Sequence, residues 1–269
     1  MSRTLQVSPE RHGAYPTIGD ALAAAPRGAV VIVAPGAYIE SLDLTGFVVT
    51  IAAGDGGEVI VTGGNRYAPT LASRDGNLTL RGITIRAADA PAVLVEGGEL
   101  TMEHCMVSAG FGAGIRLADG AGFTITDCSV TGAQQGIVIE DASGTIDTST
   151  VRDSVDDGIV IRLGADPTLR NCTIVGCGHR GVYVYQSGKP TLEGCDISET
   201  GDEGIAVAQN SAPVLRRCYV HDTQGVGISF AAGTSGQVDS CKLENTAQPD
   251  LDIAPGAAVK VTKAAPAAG

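Results

Sequence analysis

Hydrophobic residues in this chain come in short alternating bursts, not in the three-and-four spacing of an amphipathic helix. Between Leu169 and Val184 the apolar positions Leu169, then Ile174, then Val182 and Val184 are separated by Gly, Asn and Asp turns, the period-two signature of short strands. The pattern returns at a period of about 23 residues, as in "LTMEHCMVSAGFGAGIRL", "TLRNCTIVGCGHRGVYV" and "TLEGCDISETGDEGIAV". One column of the alignment holds Gly82, Cys105, Cys128, Ser149, Cys172, Cys195, Cys218 and Cys241. A second holds Pro91, Gly114, Gly136, Gly158, Gly181, Gly204, Gly227 and Asp250, a place for positive φ or for close backbone approach.

A repeat this short has no room for a crossover helix. Three strands per repeat, each stacking on its equivalent in the next, predict an all-β solenoid with three parallel sheets. The expected stack has about ten coils and is roughly 48 Å long at one strand spacing per coil. One segment departs from the alternation: Ile18, Ala21, Leu22 and Ala25 share a helical face, with Thr17 and Asp20 at its start and Pro26 at its end. It predicts a short helix plugging the first coil. The expected organisation is a strand and capping helix over 1–28, the solenoid over 29–261 and a low-complexity tail or linker over 262–269.

At the other end no amphipathic helix follows the strands around Val238, Leu243 and Leu251 to Ile253. Either Val259 to Val261 folds back as a partial lid, or the end pairs with a second copy or a downstream domain, because an open edge templates pairing.

Composition sharpens this reading. With 37 glycines, no Trp and 4% aromatic residues, the core is built from aliphatic side chains joined by many turns. A formal charge of -12 makes nucleic acid an unsuitable partner. No apolar run reaches the length of a membrane span and the start lacks a signal-peptide core, so no membrane partner and a cytoplasmic location are expected. No cofactor is called for.

Cys172, Cys177 and His179 are zinc-ligand types crowded into one repeat. The repeat assigns Cys172 to an inward ladder of small thiols, expected to be reduced and slow to react, and puts Cys177 and His179 in the following turn. The three do not converge and no metal site is expected. Cys177, in its turn, is expected to react first.

The coil pattern resembles the right-handed parallel β-helix superfamily that includes pectate lyases, polygalacturonases and pectin methylesterases. The opening "GAYPTIGDALAAAP" and the turn Pro35, Gly36, Tyr38, Glu40 are similar to the start of pectin methylesterases. The resemblance implies a β-helix and admits polysaccharide chemistry. In polygalacturonases an Asp-Asp pair and a Gly-His-Gly turn one coil later line the cleft; Asp156-Asp157 and Gly178-His179 match them, with Arg180 at the second glycine. The family's preceding aspartate is replaced by Gln135, and no Arg-Ile-Lys clamp follows His179. The motifs of the methylesterases and the acidic calcium cluster of the lyases are not found.

The residues around that match stack as pairs on successive coils: Gln134 and Gln135, Asp156 and Asp157, His179 and Arg180, Asp202 and Glu203. Acids two coils apart are separated by roughly 9.6 Å, near the upper end of the spacing of about 6.5–9.5 Å used by inverting glycosidases. Asp156, Asp157, His179, Asp202 and Glu203 are therefore the candidate catalytic set. The alternative is an exposed ion-pair ladder, with each pair worth about 0–1 kcal/mol. Beside this column the outward positions Val138, Val160, Tyr183 and Tyr185 form an apolar, aromatic patch, which with Arg162, Arg180 and Glu140 is the candidate ligand-binding set. The leading expectation is a non-catalytic module that binds carbohydrate or a protein partner. The alternative is a polysaccharide hydrolase or lyase using the acidic column.

Overall fold

The computed structural model describes residues 3–262 and 265–266, so the expected tail over 262–269 lies largely outside the described residues. The chain winds through three parallel sheets. Sheet A has 12 strands, from Thr4–Val7 to Ala258–Thr262; sheet B has 11, from Gly36–Ile39 to Ala265–Pro266; sheet C has 10, from Leu42–Asp43 to Ala247–Ile253. Each strand pairs in register with its equivalent one coil away, as Thr168–Arg170 does with Thr191–Glu193. The solenoid has about 11 turns, against the ten expected.

The core is a set of apolar files running along the axis. In sheet A, Leu80, Met102, Ile125, Ile146, Leu169 and Leu192 stack directly on one another and are all sealed from solvent. Outward on the same strands, Thr79, Thr101, Thr124, Thr145, Thr168 and Thr191 form a parallel file, where β-branched side chains suit the half-exposed pleat.

The two alignment columns have different physical causes. Gly114, Gly136, Gly158, Gly181, Gly204 and Gly227 do not have positive φ. A Cβ at Gly158 would sit 2.6 Å from Ile174 Cγ2 and 2.7 Å from Gly181 O, so close approach between coils excludes a side chain. The left-handed position lies one residue before the cysteine ladder, at Asp127 (φ 50°), Thr148 (φ 47°), Asn171 (φ 50°) and Arg217 (φ 50°). In the first row the alignment is off by one residue. Gly82 (φ 66°) occupies this left-handed position, and buried Ile83 and Ala92 fill the places assigned to Gly82 and Pro91.

All seven cysteines are free and buried. The ladder thiols point inward and find backbone carbonyls, with Cys172 Sγ 3.2 Å from Arg170 O and Cys128 Sγ 3.3 Å from Thr126 O. Cys177 corrects the sequence reading: its turn tucks it into the core beside the ladder, and burial pushes its thiol up to about 11. It therefore has no head start in reactivity.

The N-terminal cap forms as its pattern predicts. Helix Ile18–Ala23 starts at Thr17, whose hydroxyl accepts from Asp20 N at 3.0 Å, and buries Ile18, Ala21 and Leu22. Glu40 accepts from Ile18 N at 2.9 Å and Gly19 N at 2.8 Å, so the Pro35 to Glu40 turn supplies a carboxylate to the helix's orphan N–H groups.

Candidate functional site

The outer face of sheet C and the turns that enter it carry the candidate residues. On strand Val182–Val184 the buried valines alternate with Tyr183, and Tyr185 follows at the strand's end. Glu140 and Arg162 lie on the two preceding coils, opposite each other in register. Period-two alternation turns these residues outward, and the coil repeat stacks them.

Two carboxylate–arginine–tyrosine relays converge here. Glu140, 4% exposed, accepts from Arg116 Nε at 2.8 Å and from Arg162 Nε at 2.6 Å. Arg162 also donates through Nη1 to the Tyr185 hydroxyl at 2.5 Å. Asp157, 5% exposed, accepts from Arg180 Nε at 3.0 Å and from its backbone N at 3.2 Å. The Arg180 guanidinium lies over the Tyr183 ring, 3.8 Å from its centroid, and Tyr183 stacks on Tyr185 at 4.4 Å and 19°. The result is a continuous layer of Arg180, Tyr183, Tyr185 and Arg162.

The electrostatics of the two carboxylates differ. Burial alone would raise Glu140's pKa, but the guanidiniums of Arg116 and Arg162 outweigh it and hold the carboxyl below its ordinary value. At Asp157 burial wins, and the carboxyl sits above its ordinary value despite Arg180.

The other candidates flank this layer. Gln134 Nε2 donates to Asp156 Oδ2 at 2.7 Å, and the Ser229 hydroxyl donates to Glu203 Oε1 at 3.4 Å. His179 and Asp202 are exposed. Cys172, Cys177 and His179 form no metal-binding group among the described residues.

One expectation is corrected. Val138 and Val160 do face outward, yet they are 3% and 2% exposed: side chains above the sheet cover them, and they form a floor instead of a contact patch. The Tyr183 ring has one face against Tyr185 and the other beneath Arg180, so ring edges and hydroxyls, not open faces, meet solvent. Sequence reasoning also missed Arg116 as Glu140's second partner, although one coil period links them.

The family model for the right handed beta helix region matches residues 39–161 and 113–265, spans that agree with the coils just described. The chain belongs to the right-handed beta helix family. Solved structures similar to this β-helix include the periplasmic alginate epimerase AlgG, at 11% identity and TM-score 0.62 over 88% of this chain and 77% of that one. Pectate lyase Pel9A matches at 12% identity and TM-score 0.55 over 98% and 79%. The Azotobacter vinelandii mannuronan C-5 epimerase AlgE4 A-module matches at 15% and 0.59 over 84% and 72%. At these identities the likeness establishes the fold.

The β-helix carries a second polar cluster on sheet B. His221 contacts Asp222 Oδ2 at 2.6 Å through Nδ1 and Asp196 Oδ1 at 3.1 Å through Nε2. The Tyr219 hydroxyl donates to Glu244 Oε2 at 2.6 Å, and the Tyr219 and His221 rings stack at 4.1 Å. Asp196, Tyr219 to Asp222, and Glu244 come from three successive coils.

Proposed function

We propose that this β-helix binds a polysaccharide along the outer face of sheet C without chemically altering it. The observation that carries this reading is the double relay. Glu140 and Asp157, the buried acids of the face, are each committed to guanidiniums that brace Tyr185 and Tyr183. A rigid surface whose side chains are locked by their neighbours loses little entropy on binding. The polysaccharide class draws support from similar folds that act on alginate and pectate.

The enzymatic reading draws on a different observation, the raised Asp157 carboxyl, since a general acid needs such a shift. Against it, the raised acid Asp157 is itself held by Arg180, through Nε and the backbone N, so it is engaged within the protein and not poised over a glycosidic oxygen. Affinity electrophoresis against a panel of soluble polysaccharides, run alongside a turnover screen, tests the proposal. Retardation lost in Tyr183→Ala/Tyr185→Ala, with no product formed, is the expected outcome. Turnover abolished in Asp157→Asn/Asp202→Asn would sink it.

A further inference from the structure

We infer that the polysaccharide held on this face is a neutral, hydroxyl-rich glycan, neither a polyuronate nor a polycation. The inference rests on the binding reading above and narrows it. The positive charge that would recognise a uronate carboxylate is already engaged. Arg162 uses Nε and Nη2 on Glu140 and Nη1 on Tyr185. Arg116 is bonded to the other oxygen of Glu140, and Arg180 to Asp157. An incoming carboxylate would meet only the N–H groups these pairs leave over, on guanidiniums whose charge is already largely offset by Glu140 and Asp157.

The charge not engaged is negative. Asp156, Asp202 and Glu203 make no ion pair among the described residues; Asp156 and Glu203 accept only from the neutral groups of Gln134 and Ser229. Asp156 stands two coils before Asp202 and Glu203, which share one coil, along the rim of the face. The whole chain carries a formal charge of -12. A polyanion laid along sheet C would pass these carboxylates within the screening length of about 8–10 Å. A polycation would meet a floor where Arg116 and Arg162 share the single charge of Glu140 while Arg180 is matched by Asp157, which leaves one positive charge unbalanced. A hydroxyl both donates and accepts, so it bonds to the free carboxylate oxygens and to the N–H groups left over on the half-engaged arginines.

The test is affinity electrophoresis and titration calorimetry of the intact chain with a soluble neutral β-glucan and a galactomannan, beside alginate, polygalacturonate and chitosan at about 0.15 M salt. The expected result is binding to a neutral glycan with no retardation by the other three. The variant Asp202→Ala/Glu203→Ala should weaken neutral binding about tenfold. Both positions are at least partly exposed, and circular dichroism of the variant checks the fold. Binding to alginate, polygalacturonate or chitosan in preference to the neutral glycans overturns the inference while leaving the binding reading intact. Neutral binding unaffected by the double variant overturns the assigned role of the rim. No binding to any member of the panel overturns the proposed function and the inference with it.

Discussion

Replacing Glu140 with glutamine removes the shared anchor of two arginines while keeping the size of the side chain. The side chain of Glu140 is 5% exposed, whereas those of Arg116 and Arg162 are 43% and 35% exposed. Breaking a buried ion pair from one side costs about 3–5 kcal/mol, and an exposed pair at most about 1 kcal/mol. Here the carboxylate is buried but its partners reach water, and glutamine retains one acceptor oxygen. The expected loss therefore falls between these limits, at about 2 kcal/mol. For a chain of this size that lowers the melting temperature by about 4–8 °C.

The pH dependence carries a definite sign. Because Glu140's folded pKa lies below its ordinary value of 4.5, its contribution is fully present above that value and is lost as the pH falls through the folded pKa. Thermal unfolding of wild type and Glu140→Gln, followed by circular dichroism at pH 7 and in steps below about 4.5, should show a gap that closes in acid. A gap under about 0.5 kcal/mol at pH 7, or one that persists undiminished in acid, would refute the buried-anchor argument.

Three further outcomes follow from the coil geometry. Gly181→Ala puts a Cβ 2.4 Å from Ile197 Cγ2 and 2.7 Å from Gly204 O and should cost about 2–3 kcal/mol in chemical denaturation, where a neutral effect would show that the coils are not close-packed there. Thiol titration of the native protein should find all seven cysteines slow, Cys177 included, and seven free thiols in denaturant; rapid labelling of Cys177 alone would contradict its burial. At the C-terminal end the inward positions Ile253 and Val261 are 36% and 43% exposed, so light scattering should detect concentration-dependent self-association that Leu251→Lys abolishes, and a monomer at every concentration would reject that surface.

The repeat made the architecture legible because inward positions recur with the coil. The file from Leu169 to Val238 and the glycines from Gly114 to Gly227 are each visible as columns. Legibility failed where a residue's neighbour is set by a corner and not by a strand. Cys177 sits in a turn, and nothing in its local pattern says that the turn folds inward to stack with Ser154 and Thr200. In the first row residue type misleads by one position: Gly82 is small like the ladder residues, but its requirement is a left-handed backbone. At the candidate site the residue types were readable, but occupancy was not: two tyrosines on an outward face suggest open rings, and only the placement of Arg180 closes one of them.

The relays also show why this face needs the solenoid. Arg116 to Glu140, Glu140 to Arg162, Arg162 to Tyr185 and Asp157 to Arg180 span 24, 22, 23 and 23 residues, one coil each. No pair is local, so none forms before adjacent coils dock in register. Register is fixed from within, by Ile137 on Ile159 and Ile159 on Val182, because a one-residue slip would turn the buried isoleucines outward. Core packing therefore positions the arginines, and the arginines are engaged before a ligand arrives. On the proposed reading, a glycan on this face would gain from that rigidity while competing for the remaining donors, which favours many weak hydroxyl contacts along several coils over one strong ion pair at any single coil.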